Sequence, residues 1–229
     1  MLATLGCLFA VPVFAQQSSP TFGGRIDYAT LKTQQKVETL YEQQEYERAF
    51  FIYKNELAPI GDKYAQYMVG FMYLTGAGVR EDPLMASAWF RLASERSYPQ
   101  FVTVRDQLLA SFSDVDLARS DEYYRQIRRK YSDLIILMKL IRDDFDSIGP
   151  RTGSRLPGSS GAVTIVNPRS GKAESSKQYE VRVQERIEDR LRVLQKMIPH
   201  ATIETKLDRV DLAKLQDIVD QEIENIDSP

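Results

Sequence analysis

An all-α fold of antiparallel helical hairpins is predicted by three features of this sequence. From about Ile26 to Ile148 the apolar residues recur at three- and four-residue spacing, without the sustained alternation that marks a half-buried strand. Turn and cap residues interrupt that pattern at short intervals, at Pro59-Ile60-Gly61-Asp62, Gly76-Ala77-Gly78, Asp82-Pro83, Tyr98-Pro99 and Ser113-Asp114. Beyond a stretch rich in glycine, serine and proline, two further apolar stripes follow at helical spacing.

Taken in order, residues 1–15, MLATLGCLFAVPVFA, carry no charge and end with Val13 and Ala15 at the small-residue positions that a signal peptidase reads. A cleaved secretory signal is expected, although no basic residue precedes the apolar run. That run is shorter than the roughly 20 residues a bilayer core requires, so no stable membrane span is expected after cleavage. Cys7 follows Thr4-Leu5-Gly6, a faint lipoprotein box, which leaves lipid anchoring or secretion as alternatives to a free periplasmic protein. Cleavage after Ala15 would remove the one cysteine and with it disulfides and thiolate metal sites.

Residues 25–148 form the predicted helical domain, cut into about seven short helices. Its best boundary is Asp82-Pro83: the aspartate accepts from the orphan amides of the next turn, and proline takes the first helical position without losing a hydrogen bond. Residues 149–177 cannot bury enough apolar area to offset chain entropy and read as a flexible linker. The apolar patch Ala162-Val163-Thr164-Ile165-Val166 has the composition of a short edge strand, but no nearby partner stands out, and the segment reads as mostly disordered. In the C-terminal helical segment 178–229, Val183, Ile187, Leu191, Leu194 and Ile198 make one stripe ended by Pro199. Leu212, Leu215, Val219 and Ile226 make another. The two are expected to pack as a hairpin, to lie on the helical body, or to form a coiled coil with a partner.

Composition narrows function by exclusion. Lysine plus arginine is 30 and aspartate plus glutamate 32, so no global field drives the chain onto nucleic acid or an anionic membrane. Only the tail 203–229 is locally acidic. His200 is the one histidine and, with no mature cysteine, supports neither a nucleophilic triad nor a zinc site. Gly76-Ala77-Gly78 lacks the strand and third glycine of a dinucleotide loop. Asp143, Asp144 and Asp146 have no loop glutamate to complete a calcium site and read as a solvated helix end. The basic and aromatic run from Tyr123 to Tyr131 fits an ordinary helix, with Tyr124, Ile127 and Tyr131 inward and Arg125, Arg128 and Arg129 mostly outward, and nucleic acid is not expected. No catalytic, cofactor-binding or metal-ligating residue is expected, and the chain is not predicted to be an enzyme.

The informative segment is Ala65 to Pro99, AQYMVGFMYLTGAGVREDPLMASAWFRLASERSYP. Ala65, Gly70, Tyr73, Gly76, Gly78, Val79, Asp82, Ala86, Trp89, Phe90 and Ala93 stand in an order and spacing that resembles a Sel-1-like repeat, a tetratricopeptide relative found in exported bacterial proteins. The best repeat covers 65–100, and Leu57-Ala58, Gly61 and Ala65 echo the end of an earlier unit. Gly70 and Ala86 are small enough for two helices to approach closely, and Gly76 and Gly78 are suited to reversing the chain. Tyr73 and Trp89 are expected to fill the core between hairpins. Downstream, Ser94, Ser97 and Phe101 depart from the pattern, and 100–148 reads as capping helices. The resemblance implies a short α-α superhelix whose concave side is lined by the first helix of each hairpin, here by Tyr64, Tyr67, Phe71 and Thr75. It implies an exported, periplasmic adaptor or scaffold for a protein or peptide partner of the envelope. A structural protein that self-associates through its C-terminal helices as a coiled coil is the alternative.

Overall fold

The computed structural model describes residues 28–148, 164–166 and 173–227. The expected signal peptide, 1–15, and the linker residues 149–163 and 167–172 lie outside them.

Seven α-helices occupy the first part: α1 (Tyr28–Glu42), α2 (Tyr46–Ile52), α3 (Lys63–Thr75), α4 (Pro83–Ala93), α5 (Pro99–Leu109), α6 (Asp114–Tyr131) and α7 (Asp133–Ile148). Three of the predicted breaks carry a side-chain cap. Asp62 accepts from the Ala65 amide at 3.0 Å, Asp82 from the Met85 amide at 2.9 Å and Ser113 from the Asp116 amide at 3.2 Å. Prolines open α4 and α5. The break between α1 and α2 carries no sequence signal of that kind: Gln44 turns the chain there with φ 62°. Extended Ser132 separates α6 from α7 and accepts from the Ile135 amide at 3.4 Å, a cap of the same Ser-Asp kind as Ser113-Asp114. Helix α2 also widens into a π turn over Tyr53–Leu57 before tightening into a 3-10 turn over Ala58–Ile60.

Helices α3 and α4 form the antiparallel hairpin that the motif predicted. Lys63 Nζ reaches the Leu92 carbonyl at 2.8 Å, the Tyr67 and Phe90 rings lie 5.3 Å apart, and the Asp82 amide donates to the Tyr73 carbonyl at 2.8 Å. A Cβ added at Gly70 would meet the Phe90 ring at 2.8 Å, so the small residue sets the interhelix distance. Gly76 and Gly78 both take φ 70° in the reversal. Trp89 is 1% exposed and lies 4.8 Å from the Tyr131 ring, while Tyr73 meets Phe50 edge-on at 5.2 Å. Helix α6 packs on α4 through Ser87 and Ser120, whose buried hydroxyls are 2.6 Å apart. In α6 Tyr131 is buried and Tyr124 and Ile127 half-buried, as the helical pattern required, but Arg128 is buried too, beside the Tyr124 ring, rather than outward.

The buried apolar residues fall into two clusters that part near Ser132, between α6 and α7. Residues of α1 to α6 share one apolar core, whereas α7 contributes Leu134, Leu137, Met138 and Ile141 to a second core with α8 (Ser176–Met197) and α9 (Leu212–Asp227). The α8 stripe Val183, Ile187, Leu191, Leu194 and Ile198 is fully buried there, against α7 and against Leu215, Val219 and Ile223 of α9. Leu212 is half-buried, and the Ile226 side chain lies outside the described residues. Asp144 corrects the expectation of a solvated helix end: Asp143 and Asp146 are exposed, but Asp144 is buried and holds both Arg186 and Arg190 of α8. Arg190 also donates to the Leu140 carbonyl at 2.8 Å.

The expected linker is shorter than 149–177 at its C-terminal end. Strand β1 (Thr164–Val166) pairs antiparallel with β2 (Ala173–Ser175), with Ile165 opposite Glu174, so the apolar patch read as disordered does find a partner. Helix α8 starts immediately after, on a capping box in which Ser175 and Gln178 satisfy each other's amides. Among the described residues no helix is long and apolar enough to cross a membrane.

Candidate functional site

The face predicted to bind is carried by α3, flanked by α1 and α5. Gln34 of α1 donates to Asp62 at the start of α3 at 2.6 Å, and Tyr67 of α3 stacks on Phe101 of α5 at 5.2 Å. The four predicted groove residues do not share one environment. Tyr64 and Tyr67 are half-buried, Phe71 is buried and Thr75 is exposed, its hydroxyl turned back to the Phe71 carbonyl at 2.9 Å. Tyr67 is packed among Phe71, Phe90 and Phe101, so its ring is largely enclosed by protein. What this stripe offers a partner is phenol hydroxyls more than aromatic faces.

Residues from the neighbouring helices complete the cluster. Tyr41 and Glu38 project from α1, and Tyr53, 2% exposed, rises from the π turn to meet Tyr64 edge-on at 6.4 Å. None of the four tyrosine hydroxyls, nor the Glu38 carboxylate, makes a hydrogen bond to another described residue. The Trp89 indole nitrogen is the one sealed side-chain polar atom without a partner among the described residues, so the Tyr53 hydroxyl keeps an opening to solvent.

Electrostatics tie these groups together. Burial pushes the Tyr64 hydroxyl up to about 12, helped by Glu38, Tyr67, Tyr41 and Asp62. Burial, then Tyr64, Glu38, Asp62 and Tyr41, raises Tyr53 well above the phenol range. Glu38 is itself raised, first by burial and then by the Glu42 and Asp62 carboxylates. Burial raises Asp62 as well, against the Ala65 amide and Gln34, which favour its charged form. These carboxyls and phenols are therefore held in a poorly solvated, net acidic surface.

The sequence reasoning found the α3 half of this cluster and missed the α1 half. A signal existed: Gln34, Glu38 and Tyr41 fall at four- and three-residue spacing beside the buried Val37 and Leu40. Tyr53 could not have been placed, because the π turn shifts it off the α2 register.

Other polar clusters serve the frame. Lys63 is fully buried and bonds Glu95 at 2.7 Å and Asp133 at 2.9 Å, while Arg96 holds Asp133 at 2.7 Å and the Gly61 carbonyl at 3.1 Å. His200 is exposed beside Glu222, 3.1 Å away. Among the described residues no group of three His, Cys, Asp or Glu is placed to hold a metal ion. Comparison with family models, with curated proteins and with solved structures returned no match for this chain.

Proposed function

We propose that the chain is a protein-interaction adaptor or scaffold, in which the α1, α3 and α5 face is the concave side of a Sel-1-like, tetratricopeptide-like stack and receives a segment of another protein. It would act in the periplasm after export by its N-terminal signal, on a partner of the envelope. One observation carries this: four phenol hydroxyls and a carboxylate from α1, the π turn and α3 converge on one face and make no hydrogen bond to another group among the described residues. These groups keep access to solvent, and an incoming backbone would supply both donors and acceptors in its place. The resemblance of 65–100 to a Sel-1-like repeat points the same way.

The coiled-coil alternative would have to compete with the packing of the α8 stripe against α7 and α9 within one chain, which favours the adaptor reading. A photoreactive residue in place of Tyr64, irradiated in living cells, tests the adaptor assignment. It should yield a reproducible envelope protein that the same residue at exposed Lys139 of α7 does not capture. Identical products from both positions, or none from Tyr64, would remove the assignment.

A further inference from the structure

Resting on that assignment, we infer that the occupant of the α1–α3 face is an extended protein segment bearing lysine or arginine, its cation seated beside Glu38 between Tyr41 and Tyr64. The argument begins with which charges reach the face. Among the described residues the charged groups acting on Tyr53 and Tyr64 are acids, namely Glu38 and Asp62, and Glu42 acts in turn on Glu38.

The bases on the same elements are committed elsewhere. Lys63 is buried between Glu95 and Asp133, and Arg96 holds Asp133. Lys54 donates to the Tyr73 hydroxyl at 3.0 Å. Arg105 pairs with Asp106, and Lys36 lines a separate cleft with Arg48 and Phe51. Lys32 is exposed near the start of α1, six positions before Glu38, which puts it about a third of a turn off the Glu38 direction. Among the described residues Arg96 is thus the base acting on this acid set, through Asp62. The face is short of a cation.

A guanidinium or ammonium at Glu38 would supply that charge and gain from the adjoining phenol rings. Tyr53 adds an independent pointer. It is 2% exposed, its hydroxyl is unpartnered among the described residues, and the groups around it are the phenols and acids of this same face. A carbonyl of an extended segment would accept from such a hydroxyl, and an extended backbone offers a carbonyl at every residue. An acidic segment would instead face Glu38, Glu42 and Asp62 together and be repelled.

Fluorescence polarisation of the full chain with three labelled peptides tests this. The peptides alternate proline with arginine, glutamine or glutamate. The arginine peptide should bind about ten-fold tighter than the glutamine peptide, with the glutamate peptide weakest, and Glu38→Gln should erase most of that difference. Tyr64→Phe, which keeps the ring and removes one hydroxyl, should weaken both the arginine and the glutamine peptides. Equal affinity for all three, preference for glutamate, no binding by any, or an arginine preference that survives Glu38→Gln would each overturn the inference. If the Tyr64 crosslink captures an envelope partner and the arginine peptide does not bind, the cation assignment falls and the adaptor assignment stands. If the arginine peptide binds as described and the crosslink captures nothing, the face takes a cationic segment and the envelope partner falls.

Discussion

Gly76 and Gly78 share a backbone angle and differ in what surrounds them. Both sit at φ 70°, but a Cβ on Gly76 would find its nearest neighbour at 3.6 Å, whereas one on Gly78 would lie 2.3 Å from the Tyr46 carbonyl carbon. Alanine at Gly76 should therefore cost only the left-handed strain, about 1–2 kcal/mol. At Gly78 the start of α2 must also move, which adds roughly 1–3 kcal/mol. Chemical denaturation of the two variants checks the order; equal losses would mean that the α2 contact does not matter. The motif announced that both residues were needed for the turn, but the Tyr46 contact depends on an element 32 positions earlier and has no local signature. Glu38 makes a second test at this scale. Its raised carboxyl binds a proton more tightly in the folded chain, so its contribution to stability is present below the ordinary carboxylate value and is lost as pH rises through the folded value. Glu38→Gln should consequently be more stable than the parent at neutral pH, and the gap should close near pH about 4. A residue held at such a cost is consistent with one kept for binding.

Among the elements, α7 shows where local pattern stops being informative. Its apolar face is as readable as any other, with Leu134, Leu137, Met138 and Ile141 at three-, one- and three-residue steps, but periodicity says that a helix has a buried side and not which core the side enters. Ser132 redirects it, and a set of buried charges fixes the junction: Lys63 and Arg96 from the hairpin meet Asp133 at the first position of α7, and Glu95 accepts from the Asp133 amide at 3.0 Å. These residues looked like ordinary polar positions in the sequence, since burial is decided by the docking itself. Lys63→Ala leaves Glu95 and Asp133 buried with one cation fewer and should destabilise by about 3–5 kcal/mol. Lys63→Met, which keeps the length of the side chain, should not recover that loss, because Glu95 stays without its cation and Asp133 keeps only Arg96; full recovery would show that packing rather than charge holds the joint. Similarly, the α8 stripe was evident from spacing, but its partner α7 ends 28 positions before α8 begins, and only folding brings the two together.

At the scale of the whole molecule, two apolar cores are joined through a polar hinge point. The repeat-like core holds the single tryptophan, Trp89, while the second core has none. That asymmetry separates their stabilities experimentally. Asp144→Ala strands the buried Arg190 and removes the anchor of Arg186, which should cost the second core about 3–5 kcal/mol. In that variant the helical circular dichroism signal should begin to fall at lower denaturant than the Trp89 fluorescence change. Coincident transitions would mean that the two cores unfold as one. Fold class and helix limits were readable because caps, glycines and periodicity are local. The split into two cores, and the assembly of the phenol face from α1, the π turn and α3, were not, because each depends on long-range packing.

The claim on which the rest depends is that the α1–α3 face is where another protein sits. Backbone hydrogen exchange of the full chain, with and without the partner captured from Tyr64, tests it most directly. Binding should slow exchange in 34–42 and 63–71 and leave 176–197 and 212–227 unchanged. Slowing confined to the α7, α8 and α9 core, with the α1–α3 face unaffected, would contradict it.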